Sequence, residues 1–216
     1  MSTASLVAAV NSAIPAAYKS PLVGAIDPWD AFEAYAMTVG LLAAKDDGYT
    51  VRLVGLQAPG SQFVLRKGPG QIWSPHFSYL EIVNGATEAE MHVGIGVEGQ
   101  SNVVHEADVC AVDKQEAVNA RRDRFAPRAK GLIFLFECKY YAGQLGLGLI
   151  REFIGLTTDL RSHQVYHWLV SNVTHAQLAT LLKHHNRDWA DDVMPTSKGS
   201  QRLQSAVEQV LHRHRR

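Results

Sequence analysis

The sequence predicts an α/β protein with a mixed central sheet flanked by helices, and three observations carry that expectation. Residues 28–46 repeat their apolar side chains at helical spacing. From Tyr49 to Val112 the pattern changes to alternating or β-branched runs separated by Gly, Pro, Ser and Asn turns. Beyond Gly131 the order becomes strand, helix, strand, helix, which suits a sheet covered on both faces. At 216 residues the simplest organisation is one domain, 1–216, with a core over about 28–172 and a helical C-terminal extension over 173–216.

In chain order, Leu6, Val7, Val10 and Ile14 predict a short first helix that Pro15 stops. "DPWDAFEAYAMTVGLLAAKDDGY" predicts a longer helix: Asp27 can cap it, Pro28 suits its first turn and Gly48 can end it. "YTVRLVGL", "QFVLRKG", "SYLEIVNG", "AEMHVGIGVEG" and "NVVHEADVCAV" read as strands of a mostly antiparallel meander. The charged stretch 114–130 reads as a solvated excursion with a short helix. "GLIFLFECKYY" is the most apolar strand of the chain and belongs in the middle of a sheet. "GLGLIREFIGLTTDLR" follows as a helix, "QVYHWLVSNV" as a strand, and "THAQLATLLKHH" as a helix capped by Thr174. "SKGSQRLQSAVEQVLHRHRR" makes a last helix with cations at its C-terminal end, where they suit the helix dipole.

Composition excludes some classes of function. The formal net charge is zero, so the protein's overall field does not draw in nucleic acid, although a local basic groove can. Cys110 and Cys138 lack metal-ligand spacing and read as reduced, buried thiols of a cytoplasmic protein. The N-terminus has no secretory pattern, and no stretch approaches the roughly 20 apolar residues of a membrane span.

The chemistry lies in charges placed on strands. Side chains alternate faces along a strand, so Glu137 and Lys139 share one face of "GLIFLFECKYY", and Asp108 interrupts the apolar pattern of "HEADVCAVD". If the two strands are neighbours, Asp108 and Glu137 converge. Such a pair is reconciled by a hard divalent cation, and a lysine beside it can orient water and stabilise charge on phosphorus. An Asp on one strand, then Glu-x-Lys in an apolar strand followed by a helix, with an acidic helix upstream, resembles the PD-(D/E)xK nuclease superfamily over about residues 28–172.

That resemblance implies a restriction-endonuclease-like αβββαβ core and Mg²⁺-dependent cleavage of DNA, less often RNA, with Mn²⁺ as a substitute ion. It implies catalytic Asp108, Glu137 and Lys139, with Asp108 and Glu137 on the metal. Glu33 matches the acidic residue that assists the metal from the first core helix, with Asp30 next in line. The Pro of the motif's name is Ala107 here. A role in restriction, phage defence or repair, and pairing as a homodimer, are expectations of kinship alone.

Secondary candidates surround this set. His105 and Glu106 flank the aspartate and could hold an outer water or a second metal, or simply sit at the surface. His92 faces away from the Met91 and Val93 stripe and could join the site face. Gln144 and Arg151, just past the Glu-x-Lys strand, and Arg66 and Lys67, on a Gly/Pro-rich turn, are candidates for phosphate contact. Tyr140 and Tyr141 read as packing residues rather than stacking platforms. His184 and His185 diverge on a helix and do not suggest zinc, and His212 and His214 belong to a basic tail fit for phosphate attraction or disorder. The rival expectations are a non-catalytic nucleic-acid-binding or scaffold protein on the same fold, and an RNA-directed effector nuclease.

Overall fold

The computed structural model describes residues 2–14, 26–56, 63–66, 68–143, 145–162 and 165–215. Seven strands form one sheet in sequential order: β1 Thr50–Val54, β2 Tyr79–Asn84, β3 Thr87–Glu98, β4 Val104–Asp113, β5 Leu132–Lys139, β6 Tyr166–Ser171 and β7 Asp188–Ala190. Neighbours from β1 to β5 are antiparallel, and β5, β6 and β7 run parallel to one another. The helices are α1 Thr3–Ala13, α2 Pro28–Asp46, α3 Lys114–Asp123, α4 Leu147–Asp159, α5 Ala176–His184 and α6 Lys198–His214. Mixed α/β architecture, with one mixed sheet flanked by helices, follows directly.

The layers can be read from the core. α1, α2 and α6 bury Leu6, Val10, Phe32, Met37, Leu203 and Val207 against Phe134 and Phe136 of β5 and Met91, Val93 and Val109 of the neighbouring strands. A second cluster joins Ala117 and Ala120 of α3 to Cys110, Val112 and Leu135, and a third joins α4 and α5 to Leu169. Phe134 and Phe136 thus face one layer and Leu135 the other, the alternation of a central strand buried on both sides. α6 packs on α2 and β5, and β7 extends the sheet, so the chain beyond residue 173 belongs to this core.

Several local expectations need correction. Phe63–Arg66 is irregular rather than a strand; the Val64 carbonyl accepts from the Ser78 amide at 2.9 Å, and Gly70 bridges to Ile95. α5 has His175, not Thr174, at its N-cap, and Asp27 precedes α2 without a side-chain capping bond. The basic tail is helical through His214 and tied down: His212 Nδ1 lies 3.1 Å from Asp47 Oδ1, and Arg215 donates to the same carboxylate at 2.5 Å. Residues 57–62 and Pro15 lie outside the described residues.

The feature that positions the site is a change of layer inside β3 and β4. Val93 and Val109 are paired and belong to the first cluster, whereas Ile95 and Ala107, paired two residues on, belong to the second. Gly94 stands between them with φ +60, opposite Asp108. A left-handed residue there turns the end of the hairpin without the steric cost of a Cβ.

Candidate active site

β4 and β5 part company next to Asp108. Their ladder runs to the pair Val109 and Phe136, and one step further a side chain takes over from backbone: Asp108 Oδ2 accepts the amide of Cys138 at 2.6 Å. β5 continues past this point because β6 still pairs with Glu137, Cys138 and Lys139. The parting of the strands therefore brings the two acidic side chains together across a gap in the sheet.

Lys139 Nζ donates to Glu137 Oε1 at 2.7 Å and lies 3.8 Å from Asp108 Oδ2. The three side chains are 17%, 12% and 21% exposed for Glu137, Asp108 and Lys139, enough for a substrate atom to reach them and too little for water to screen them fully. Burial, then the Glu137 charge, pushes the Asp108 carboxyl up to about 7, against the pull of Lys139 and the Cys138 amide. Burial opposes the Lys139 charge, but Asp108 and Glu137 outweigh it and raise the ammonium's pKa.

Glu33 of α2 reaches the same place. Its carboxyl is pushed up to about 9, first by burial and then by Asp108, Asp30 and Glu106. Glu106, exposed on β4, is raised by burial and by Glu137. The site is thus a set of carboxyls around the Lys139 ammonium, an arrangement that is costly unless a cation or a proton relieves it. Among the described residues no group of three or more His, Cys, Asp and Glu side chains is arranged to hold a metal ion.

The other candidates lie apart. His105 Nε2 is 2.6 Å from Asp159 Oδ2, which ties the β3–β4 hairpin to the end of α4. His92 is buried, stacks on Tyr79 and bonds Glu90 at 3.0 Å, so it belongs to a different polar cluster. Arg66 is buried rather than presented on a turn; it lies 4.4 Å from the Phe77 ring and donates to the Gln71 carbonyl at 3.1 Å. Arg151 is exposed on α4, and Lys67 and Gln144 lie outside the described residues. Two cavities of about 530 and 620 Å³, one beside Arg187 and Trp189 and the other beside Arg128 and Lys130, contain none of the triad.

Trp29 had no role in the sequence reading and stands out here. It is 58% exposed, one helical turn before Glu33, with its ring edge-on to Tyr140 at 6.4 Å. Its signal in the sequence was a large aromatic at the polar start of a helix that is otherwise mostly buried.

No family profile and no curated protein matches the chain. Among solved structures it is similar to the protein VC1899 from Vibrio cholerae, with 13% identity and a TM-score of 0.43, over 86% of this chain and 34% of that one. The chain thus spans about a third of the length of that protein.

Proposed function

We propose that the protein is a metal-dependent nuclease that hydrolyses phosphodiester bonds of DNA, on a restriction-endonuclease-like core. The observation that carries this reading is the meeting of Asp108 and Glu137 at the Lys139 ammonium where β4 and β5 separate. Two carboxylates suit Mg²⁺, which takes one or two carboxylates and completes its octahedron with water and phosphate oxygens. Asp108 and Glu137 would hold that ion, or Mn²⁺ in its place, and Glu33 and Glu106 would reach its outer waters. The bound ion would polarise a phosphoryl oxygen and lower the pKa of a coordinated water.

The chain's own groups do the rest. Glu137 fixes the Lys139 side chain through their hydrogen bond, so the ammonium stands ready before substrate arrives. Lys139 then orients the attacking water and balances negative charge gathering on the phosphoryl group. The Cys138 amide donates to Asp108 Oδ2 and so fixes that carboxylate at the gap between the strands. Two buried free thiols suit a reducing compartment, and we place the protein in the cytoplasm.

The test is cleavage of plasmid DNA in Mg²⁺ by the full chain against a folded Lys139→Ala variant, where the variant loses about 10²-fold or more in rate. Equal cleavage by both ends the reading. Calorimetric titration with Mn²⁺ separates it from a non-catalytic binding protein, which takes up no ion and tolerates Glu137→Gln. Side-by-side digestion of DNA and RNA distinguishes the RNA-directed alternative.

A further inference from the structure

We infer that Trp29, backed by Tyr140, is a stacking platform for an unpaired base, so that the site takes single-stranded or locally opened DNA. The inference rests on the nuclease reading and names its substrate class.

Position comes first. Trp29 and Glu33 are four residues apart in α2, a spacing that puts their side chains on one face about 5–6 Å apart at Cβ. Glu33 is close enough to Asp108 and Lys139 to feel both charges, so the indole stands one helical turn from a carboxyl of the site. Tyr140 ties the two elements together: it directly follows Lys139, meets Trp29 edge-on and packs on Phe32 at 5.4 Å. Phe32 is itself buried in the main core. The indole is therefore braced by Tyr140, just past the end of β5 and itself packed on the core at Phe32, while remaining mostly exposed. A lone surface aromatic needs no explanation, but one held rigid beside a reactive centre is a preorganised surface.

Chemistry then selects the occupant. Asp30 directly follows Trp29 on the helix, and its carboxylate repels a backbone phosphate. The flat π-face of a base carries no such charge and stacks on an aromatic ring whatever its sequence. Bases within a duplex already stack on each other, so only an unpaired or extruded base can reach the indole. The triad would then receive the phosphodiester next to that base.

The experiment measures binding without cleavage. Fluorescein-labelled 12-nucleotide single strands and the matching duplex are titrated with the full chain in EDTA, using wild type, Trp29→Ala and Trp29→Phe, with thermal unfolding as the check on folding. Trp29→Ala weakens single-strand binding about tenfold and lowers the ratio of single-strand to duplex affinity, and Trp29→Phe restores most of it. If Trp29→Ala binds the single strand as tightly as wild type, while Lys139→Ala still abolishes plasmid cleavage, the platform is overturned and the nuclease reading stands. If the wild type neither binds nor cuts nucleic acid, the nuclease reading is overturned and takes the platform with it.

Discussion

In the proposed reading, Asp108 serves chemistry at the expense of stability. It is buried, shares its space with Glu33, Glu106 and Glu137, and is relieved by one ammonium and one amide. Asn at this position keeps an oxygen for the Cys138 amide and removes the repulsion. Asp108→Asn is therefore expected to leave the metal-free protein as stable as wild type or more so, while abolishing the heat of Mn²⁺ binding. Relief worth about 1 kcal/mol raises the thermal midpoint by about 2–4 °C. A midpoint several degrees lower in EDTA would mean that Asp108 is kept for its ion pair with Lys139, and the metal reading would lose its main support. The three residues were legible in the sequence because charges on an apolar strand are rare and their parity is fixed. His92 was not legible in the same way: strand parity gave its face, but the partner that claims it, Glu90, lies two residues away on the same strand. Parity says which side a group faces and nothing about which neighbour reaches it first.

At the scale of elements, the bend at Gly94 decides whether Asp108 meets β5 at all. A Cβ at Gly94 would sit 3.2 Å from Arg66 Cβ and 3.3 Å from the Gly68 carbonyl, on a backbone with φ +60. Gly94→Ala is expected to cost about 1–2 kcal/mol from conformation alone, and more once Arg66 has to shift. Urea unfolding measures that loss. Gly155→Ala is the control: Gly155 is exposed inside α4 and a Cβ there meets nothing within 4 Å, so the change stabilises by about 0.5–1 kcal/mol. Equal and small effects at both positions would show that the hairpin bends without help from the glycine. The long, strongly periodic elements were readable: α2 runs from Pro28 to Asp46 as its apolar spacing and the proline of its first turn predict. β7 was missed because three residues are too short for a period to register. The segment around Arg66 misled because alternation there reflects inward packing on Phe77 rather than pairing in the sheet.

For the whole molecule, the counterpart of the strained site is a buried charge cluster that holds α3 to the sheet. Glu90, fully buried in β3, accepts from Arg121 and Lys114 of α3, and His92 bonds it from its own strand. Lys114 also bridges to Glu81 of β2, so one cluster links three elements. Burial alone would raise the Glu90 carboxyl, but hydrogen bonds from His92, Arg121 and Lys114 outweigh it and hold the group well below its usual 4.5. His92 and His167 move down because burial disfavours their cations, His167 to about 4. All three shifts have the same sign in linkage. On acidification the unfolded chain takes up protons that the folded one resists, so stability falls as pH falls. The two histidines begin the loss below about pH 6.5, and Glu90 adds to it below about 4.5. The raised carboxyls of Asp108 and Glu33 act in the opposite sense over the same range, gaining stability as pH falls toward about 4, so the cluster's contribution is read as the difference in thermal midpoint between wild type and Glu90→Gln, followed from pH 7 to pH 3. Glu90→Gln should cost about 3–5 kcal/mol at pH 7, because it strands two cations against the sheet, and that cost should shrink as pH falls below about 4.5. A variant that lost stability equally at every pH would place the acid sensitivity elsewhere and leave Glu90 as a packing residue.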